Sequence, residues 1–582
     1  MFSNLRDYIA ALEKCGEVKR IKAQVDPRLE LAEIHRRVIE HGGPVLFFES
    51  VKGSNFPVVT NLFGTKQRVA RAFGEHPERL IKRAVSLVQA PFPPKLGSLW
   101  ENRELFASAL RVGVRTVRSG PVAKVVSEPK LTQIPLLTSW PADGGAFVTL
   151  PLVYTESPVT GVPNLGMYRI QRFDDRTTGL HMQIGKGGGF HLAEAEQRSQ
   201  KLPVTITVGG PPALILAAIA PLPENVPEVL LASLVQGSKL NVLRPSDCKL
   251  PIFSEAEFVL SGEVFPHERR LEGPFGDHYG YYSLAHEFPV FHCTKLFHRE
   301  DAIYPATVVG KPKQEDFFIG DYLQELLSPL FPLVMPGVVD LWSYGETGYH
   351  SLSAAVVKER YHREALASAF RILGEGQLSL TKFLFLTDRK VDLRDFKSLL
   401  VTVLERSDLR TDLYIFPNTS MDTLDYGGPE LNKGSKGVLL GCGEVKRRLP
   451  ELFCENPPAG IDVQVFCPGC LVVSGPSYQD APDLGSQLVK LGCFSGWPLI
   501  VLVDNAKSCA EISSAFLWQV FTKFEPARDI YSAAESLRAN QILRTPPILI
   551  DSRRKTWYPD EVEVDVETKN LVDRRWREYG LS

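Results

Sequence analysis

Two carboxylates flank a Gly-Pro turn in Leu271-Glu272-Gly273-Pro274-Phe275-Gly276-Asp277-His278-Tyr279-Gly280-Tyr281-Tyr282, a segment otherwise made of glycine and aromatic residues. Gly273-Pro274 and Gly276 exclude a helix, so Glu272 and Asp277 hang from a backbone with little freedom, as proton transfer at a defined point requires. Two acids in one site also couple. Repulsion, with burial against Phe275 and Tyr279, is expected to push one pKa up and leave a carboxylic acid that can donate a proton near neutrality. On spacing alone the same string is an ordinary polar turn.

The elements that must position these acids are legible in outline. Residues 1–115 alternate helical patterns (Leu29 to Glu40, Pro77 to Val88) with short apolar runs such as Val45-Leu46-Phe47-Phe48, an α+β domain. Residues 116–325 turn to short β-rich runs, Val204 to Val208, Glu257 to Leu260 and Val290 to His292, punctuated by Gly and Pro. That pattern suits an antiparallel sheet or split β-barrel, and the acidic segment falls inside it. The proline-rich stretch Leu327 to Pro336 then opens a carboxy-terminal α/β domain over 326–582. Within it Phe383 to Asp388 and Leu499 to Asp504 both read as strand, Asp, helix, closing at Arg410-Thr411-Asp412 and Ala527-Arg528-Asp529, an internal duplication. No glycine-rich phosphate loop accompanies either copy, so the two terminal aspartates read as helix caps in a structural unit, with subunit contact as its expected use.

Composition sets the class. A chain of 582 residues, with 44% hydrophobic and 23% charged residues, has room for several packed cores and is not disordered. Its net charge of -2 gives no basic field for nucleic acid. The most apolar stretch, Pro211 to Pro223, is too short to span a bilayer, and Met1 to Arg20 carries charges throughout, so neither a membrane span nor a secretory signal is read. The 9 cysteines lack framework spacing, which fits a reducing, cytoplasmic compartment. Cys467-Pro468-Gly469-Cys470 lies between two strand-like runs with no helix start to activate a thiol, and reads as a structural pair.

Three ordered motifs resemble the UbiD-type decarboxylases, which use prenylated flavin mononucleotide (prFMN). The most specific is Glu272-Gly273-Pro274-Phe275-Gly276-Asp277. The second is Pro163-Asn164-Leu165-Gly166-Met167-Tyr168-Arg169 with the loop Thr177 to His191, and the third is Ala217 to Glu228, similar to the family segment that ends in a metal-binding glutamate. The likeness runs from Leu5-Arg6-Asp7-Tyr8 to the tail and favours the longer, quinone-pathway members, of the ubiquinone or menaquinone type.

The resemblance implies a non-oxidative carboxy-lyase in which Arg169, Glu272 and Asp277 form the catalytic network. Asp277 delivers the proton, Arg169 orients carboxylates through its planar fork, and Glu272 tunes the pair. It also implies cofactor contacts at Met167, Tyr168, Arg169, His181, Met182, Gln183, Lys186 and Gly187. Asn164 and Glu228 become ligands for Mn²⁺ or Mg²⁺ at the cofactor phosphate, with K⁺ as a companion ion. Asn164 and Arg169 differ by an odd number, so a regular strand would send them to opposite faces and a bulge or strand end is required. Gly185 stands where many relatives carry a histidine before the basic residue, leaving His181 or His191 as substitutes. Substrates of the implied type are aromatic acids, a hydroxybenzoate or naphthoate, or an aryl or acrylic acid outside quinone synthesis; a polyprenylated one would bring the protein to a membrane surface. A flavin prenyltransferase is implied as cofactor supplier, and a homo-oligomer, dimer or hexamer, as the assembly. The competing readings are a flavin oxidoreductase on a split barrel and a noncatalytic relative.

Overall fold

The computed structural model describes residues 2–89, 111–182, 187–222, 226–311 and 313–581. The chain forms two compact units, Met1–Leu326 with Asp560–Ser582, and Leu327–Pro559. The carboxy-terminal section expected to run to Ser582 therefore stops at Pro559. The tail returns to the first unit because its helix Val566–Arg575 buries Val572, and Tyr579 beyond it, in the first unit's core.

The first unit opens with helix Leu5–Lys14, where the Asn4 side chain accepts the Asp7 N–H and Leu5, Tyr8, Ile9 and Leu12 form the buried stripe. Helices Glu30–Glu40, Lys66–Phe73 and His76–Gln89 follow. They accompany a four-stranded sheet of Val18–Ile21, Val45–Phe48, Val58–Thr60 and, from much later in the chain, Tyr304–Pro305.

The middle of this unit is a nine-stranded antiparallel sheet. Its neighbours run Phe147–Val148, Ile170–Arg172, Thr177–Leu180, His286–His298, Phe258–Glu272, Leu202–Val208, Pro151–Glu156 and Pro163–Gly166, with Val125–Ser127 on the outer end of His286–His298. The first and last of these strands do not pair, so among the described residues the antiparallel sheet is open and no closed barrel forms. Strands Phe258–Glu272 and His286–His298 shift register at Ser261/Gly262 and Val264/Arg269. Gly262 is required at the first shift, since a Cβ there would lie 1.9 Å from the His292 carbonyl oxygen.

The second unit holds two five-stranded sheets with one pattern of neighbours. The first runs Val338–Ser343, Leu352–Val357, Phe383–Thr387, Lys433–Gly441, Leu413–Ser420, and the second Asp462–Cys467, Cys470–Ser474, Leu499–Val503, Gln541–Asp551, Ile530–Arg538. In each, three parallel strands are bordered by an antiparallel strand on either side. One apolar core takes residues from both sheets, with Phe466 stacked on Phe516 at 3.7 Å between ring centroids. Cys467 and Cys470 face each other across the hairpin and are buried there, with Cys470 and the nearby Cys509 pushed up by burial, as inert thiols should be.

Candidate active site

The site lies where the longest strand pair of the first unit ends. Glu272 is the last residue of Phe258–Glu272, fully buried and paired across the ladder with His286. Gly179 on strand Thr177–Leu180, one strand beyond His286–His298, makes room for it, because a Cβ at 179 would come within 2.9 Å of Glu272 Cγ. After Glu272 the chain turns through Gly273 at φ +97° and Pro274, and a short hairpin of Phe275–Gly276 and Tyr282–Ser283 presents Asp277. Gly276 is pressed against the Trp140 indole, 2.1 Å from Cδ1 for a Cβ, and its N–H donates to Asp143 Oδ1 at 2.8 Å.

Arg169 reaches both acids. Its Nε and Nη2 donate to the two Glu272 oxygens at 2.9 and 3.0 Å, and Nη1 donates to Asp277 Oδ2. The Phe275 ring lies 5.0 Å below the guanidinium. Strand Pro163–Gly166 ends before Arg169 and Ile170–Arg172 begins after it, so the odd spacing from Asn164 is absorbed by a break at Met167–Arg169.

The fixed geometry changes the expected electrostatics. Burial alone would raise the Glu272 carboxyl, but the His181 hydrogen bond and the Arg169 guanidinium outweigh it and hold it at about 2. Burial would likewise raise Asp277, yet the His278 side chain and Arg169 keep it well below the usual carboxylate range. The expectation of one elevated acid in this pair is thus corrected: a shared guanidinium leaves both ionised. Burial, with Arg169 adding to it, lowers His181 and keeps its imidazole neutral. Because Glu272 can only accept, His181 Nδ1, 3.3 Å away, carries the proton of their contact.

The cofactor and metal candidates gather on the strand next to this network. Tyr168 is buried, and its hydroxyl accepts the Gly188 N–H at 3.1 Å at the start of helix Gly187–Gln197. A Cβ on Gly187 would meet Asn164 Oδ1 at 1.9 Å, and one on Gly188 would touch the Tyr168 ring at 3.0 Å and Met182 Cε at 3.3 Å. These two glycines thus bring backbone against Asn164, Tyr168 and Met182, while Met167 is half-buried beside them. Glu228, first residue of helix Glu228–Gln236, accepts the Leu165 N–H at 2.9 Å, and burial pushes its carboxyl up. Gln183, Gly185 and Lys186 lie outside the described residues.

Of the two substitute histidines, His181 is taken by Glu272. His191 pairs through Nδ1 with Thr155 Oγ1 at 2.9 Å, and Thr155 is the cross-strand partner of Asn164. Among the described residues no group of three or more His, Cys, Asp or Glu is disposed to hold a metal, so the donors at hand are the hard oxygens of Asn164 and Glu228.

Four residues that the sequence reading passed over complete the surroundings. His278 binds Asp277 Oδ1 through Nδ1 at 2.7 Å, and its adjacency to Asp277 was the available signal. His286 has a buried Nε2 without a hydrogen-bond partner among the described residues, and burial and Arg169 lower its pKa. Burial also raises Asp316, with His278 opposing and Asp277 reinforcing the shift. Asp143, which takes the Ser139 and Trp140 N–H groups besides that of Gly276, is pushed by burial to about 6. Only the fold brings His286, Asp316 and Asp143 here.

A buried arginine shared by two acids at the rim of an open antiparallel sheet, next to a glycine-lined helix start, defines a site built to manage carboxylates and a proton. Three family models match in order along the chain: the amino-terminal domain of 3-octaprenyl-4-hydroxybenzoate carboxy-lyase over residues 9–88, its Rift-related domain over 115–312 and its carboxy-terminal domain over 317–441. The chain belongs to the UbiD family of carboxy-lyases. It is similar to a protein of Chlamydia pneumoniae named as a subunit of 4-hydroxybenzoate decarboxylase, 52% identical over 99% of this chain and 98% of that one. Among solved structures it resembles the vanillic acid decarboxylase of Sedimentibacter hydroxybenzoicus in closed form, with 24% identity, 79% of this chain and 97% of that chain covered, and a TM-score of 0.67. It also resembles an evolved dimeric form of a UbiD-class enzyme from Pelotomaculum thermopropionicum in complex with prFMN, with 22% identity, 78% and 97% coverage, and a TM-score of 0.62. At those identities the likeness speaks for the fold. Among the described residues no helix is long and apolar enough to cross a membrane.

Proposed function

We propose that this chain is a non-oxidative decarboxylase of an aromatic acid, of the hydroxybenzoate or naphthoate type used in quinone synthesis, working with prFMN. The observation that carries the reading is the single buried guanidinium of Arg169 held by both Glu272 and Asp277. The named relative from Chlamydia pneumoniae supports the hydroxybenzoate class.

Bound prFMN would supply an electron sink for the pair left behind when CO2 departs. Gly187, Gly188, Tyr168 and Met182 would line its place, the two glycines letting backbone lie directly against Asn164, Tyr168 and Met182. Asn164 and Glu228 would hold Mn²⁺ or Mg²⁺ at its phosphate. The Glu228 carboxyl is raised by burial and eased only by backbone N–H groups, an arrangement a divalent cation would satisfy.

The protein's own work is on charge and protons. Arg169 presents a planar fork to the substrate carboxylate, while Glu272, steadied by His181, holds that fork in place. As the guanidinium turns to the substrate, its grip on Asp277 weakens. Burial of Asp277 is then opposed by His278 alone, which favours its carrying a proton for delivery to the carbon that CO2 has left. Phe275, Tyr279 and Phe288 are buried around these groups and keep competing water away. In solution the protein is a homo-oligomer in this reading, and a flavin prenyltransferase supplies the cofactor.

The test is to co-express the chain with a flavin prenyltransferase and Mn²⁺, and to record the absorption spectrum and intact mass of the released cofactor. CO2 release from hydroxybenzoates and naphthoates is then assayed against Asp277→Asn. Bound prFMN with Asp277-dependent release is expected; a folded protein that binds no flavin overturns the reading.

A further inference from the structure

The tail that returns from the second unit ends on the segment bearing Asp277. Asp277 N–H donates to the Tyr281 carbonyl at 2.9 Å and Gly280 N–H to the Asp277 carbonyl at 2.8 Å, which closes the turn. The other side of that turn is held by the tail. Tyr282 N–H donates to the Asp560 carbonyl at 2.9 Å, Val562 N–H donates to the Gly280 carbonyl at 3.1 Å, and Tyr281 and Glu561 form an antiparallel bridge. Val562 is buried in a small cluster with Trp140 and Tyr282, edged by Val564, and Trp140 is the ring against which Gly276 packs. Lys311 Nζ fixes Glu561 at 2.8 Å.

The far end of the tail is anchored separately. Asp565 caps helix Val566–Arg575 by accepting the Thr568 N–H at 2.8 Å. Arg37 pairs with Asp573 at 2.5 Å, Arg575 with Glu30, and the Tyr579 hydroxyl donates to Glu30 at 2.6 Å. All three contacts are to helix Glu30–Glu40, whose Arg36 lies 4.1 Å over Trp140 and donates to the Ser139 carbonyl at 2.9 Å. The near end of the tail thus meets Trp140 and the Asp277 turn directly, and the far end meets the helix whose Arg36 lies over Trp140. None of it falls within the residues matched by the three family models.

We propose that Asp560–Val564 is a strap that positions the Asp277 turn, with helix Val566–Arg575 as its anchor. A backbone bridge is suited to this task because it fixes the height of the Gly280–Tyr282 segment without placing a side chain in the site. Asp277 is joined to that segment through its own N–H and carbonyl, so a loosened strap would let the carboxyl drift from Arg169. Misplacement of a reacting group on the order of 1 Å costs about 100-fold in rate. The strap rests on the decarboxylase reading only for the catalytic half of its test.

The test uses the full chain and the variant Val562→Pro, which removes the N–H given to Gly280, beside Val562→Ile, which keeps it. Amide hydrogen exchange is read over 277–283 without substrate. Val562→Pro is expected to exchange there at least about tenfold faster, with strands 383–387 and 499–503 unchanged and Val562→Ile at wild-type rates. With prFMN and an aromatic acid, kcat should fall by about tenfold or more while KM stays within about twofold, a split that general unfolding would not produce. Unchanged exchange in folded Val562→Pro, or faster exchange with wild-type kcat, overturns the strap. If wild type releases no CO2, the exchange result alone decides it. Should Val562→Pro fail to fold, Val562→Ala, which thins the contact with Trp140 and Tyr282, takes its place with the same readouts and smaller changes in the same direction.

Discussion

Asp529 of the second unit and the acid pair at the site of the first do different work. In the second unit Asp529 accepts the N–H of Glu525 at 2.7 Å and holds Lys555 at 3.0 Å, and Asp412 accepts that of Asp408 at 2.7 Å while Arg363 at 2.6 Å and Lys446 at 3.0 Å hold it as well. Both acids therefore close a loop on backbone that lies behind them. In the first unit Glu272 is held by the side chains of Arg169 and His181, and the one backbone N–H on Asp277 Oδ1 comes from the next residue, His278. An acid such as Asp529, which closes on the backbone four residues before it and on a buried lysine, is fixed for the life of the fold. One held by a guanidinium can change partners when another carboxylate arrives. Burial is shared by both kinds and does not tell them apart.

The largest break in that comparison comes from Asp277→Asn. Loss of a positioned proton donor should lower kcat by about 10²–10⁴-fold. Arg169 keeps its bidentate contact with Glu272, so the protein should stay folded and lose less stability than the variant described next. Activity and urea unfolding of one preparation check both halves.

Asp529→Asn should do the reverse. It leaves Lys555, which is 1% exposed, facing a neutral amide, and removing one partner of a buried pair costs about 3–5 kcal/mol. Turnover per folded molecule should stay near wild type. A variant with full stability would show that Lys555 finds its compensation in the Lys523 and Asp551 carbonyls, which its Nζ already meets at 3.1 and 2.6 Å.

Gly179→Ala tests the packing behind the site. The added Cβ would press on Glu272 Cγ from 2.9 Å, and overpacking of this kind costs about 1–3 kcal/mol. Because the pressed group is a fork partner of Arg169, kcat should fall further than the stability loss explains, as steady-state kinetics on the folded fraction will show.

What the sequence disclosed follows the same division. The Glu-Gly-Pro-Phe-Gly-Asp string marked both acids because a rigid turn and its charges are local, and the parity of Asn164 and Arg169 foretold the strand break at Met167–Arg169. Element types were readable for the same reason: strand Val45–Phe48 and helix Glu30–Glu40 carry their own periodicity. The charge state was not readable, since the guanidinium that decides it lies 103 residues from Glu272. The antiparallel sheet was readable, but not whether it closes, since that depends on which edge strands meet. Asp388 and Asp504 were read as helix caps, yet Asp388 accepts the Gly443 N–H and Asp504 the Arg554 N–H, each at 3.1 Å, while Asp395 and Asn505 cap the helices. An apolar run ending in Asp looks the same in sequence whichever N–H it meets. The matching roles of Asp388 and Asp504, and of Asp412 and Asp529, support reading the two sheets of the second unit as a repeat, which we propose.

The smallest effect sharpens the comparison most, because its sign differs between the units. Asp277 has a folded pKa below its unfolded value of about 3.9, so the stability it contributes is present above that pH and is lost as pH falls through it. Asp529 is raised by burial, with Lys555 opposing, so folding there favours the protonated form, and the stability linked to it is fully present below about pH 3.9 and declines as pH rises. The stability difference between wild type and Asp277→Asn should therefore shrink as the solution is taken from about pH 6 to about pH 3.5, and that between wild type and Asp529→Asn should grow. Neither slope can exceed about 1.4 kcal/mol per pH unit, the limit for one proton. Urea unfolding at several pH values measures both. Parallel slopes would mean that Lys555 governs Asp529 as firmly as Arg169 governs Asp277, and would erase the distinction between a clamp and an exchangeable partner.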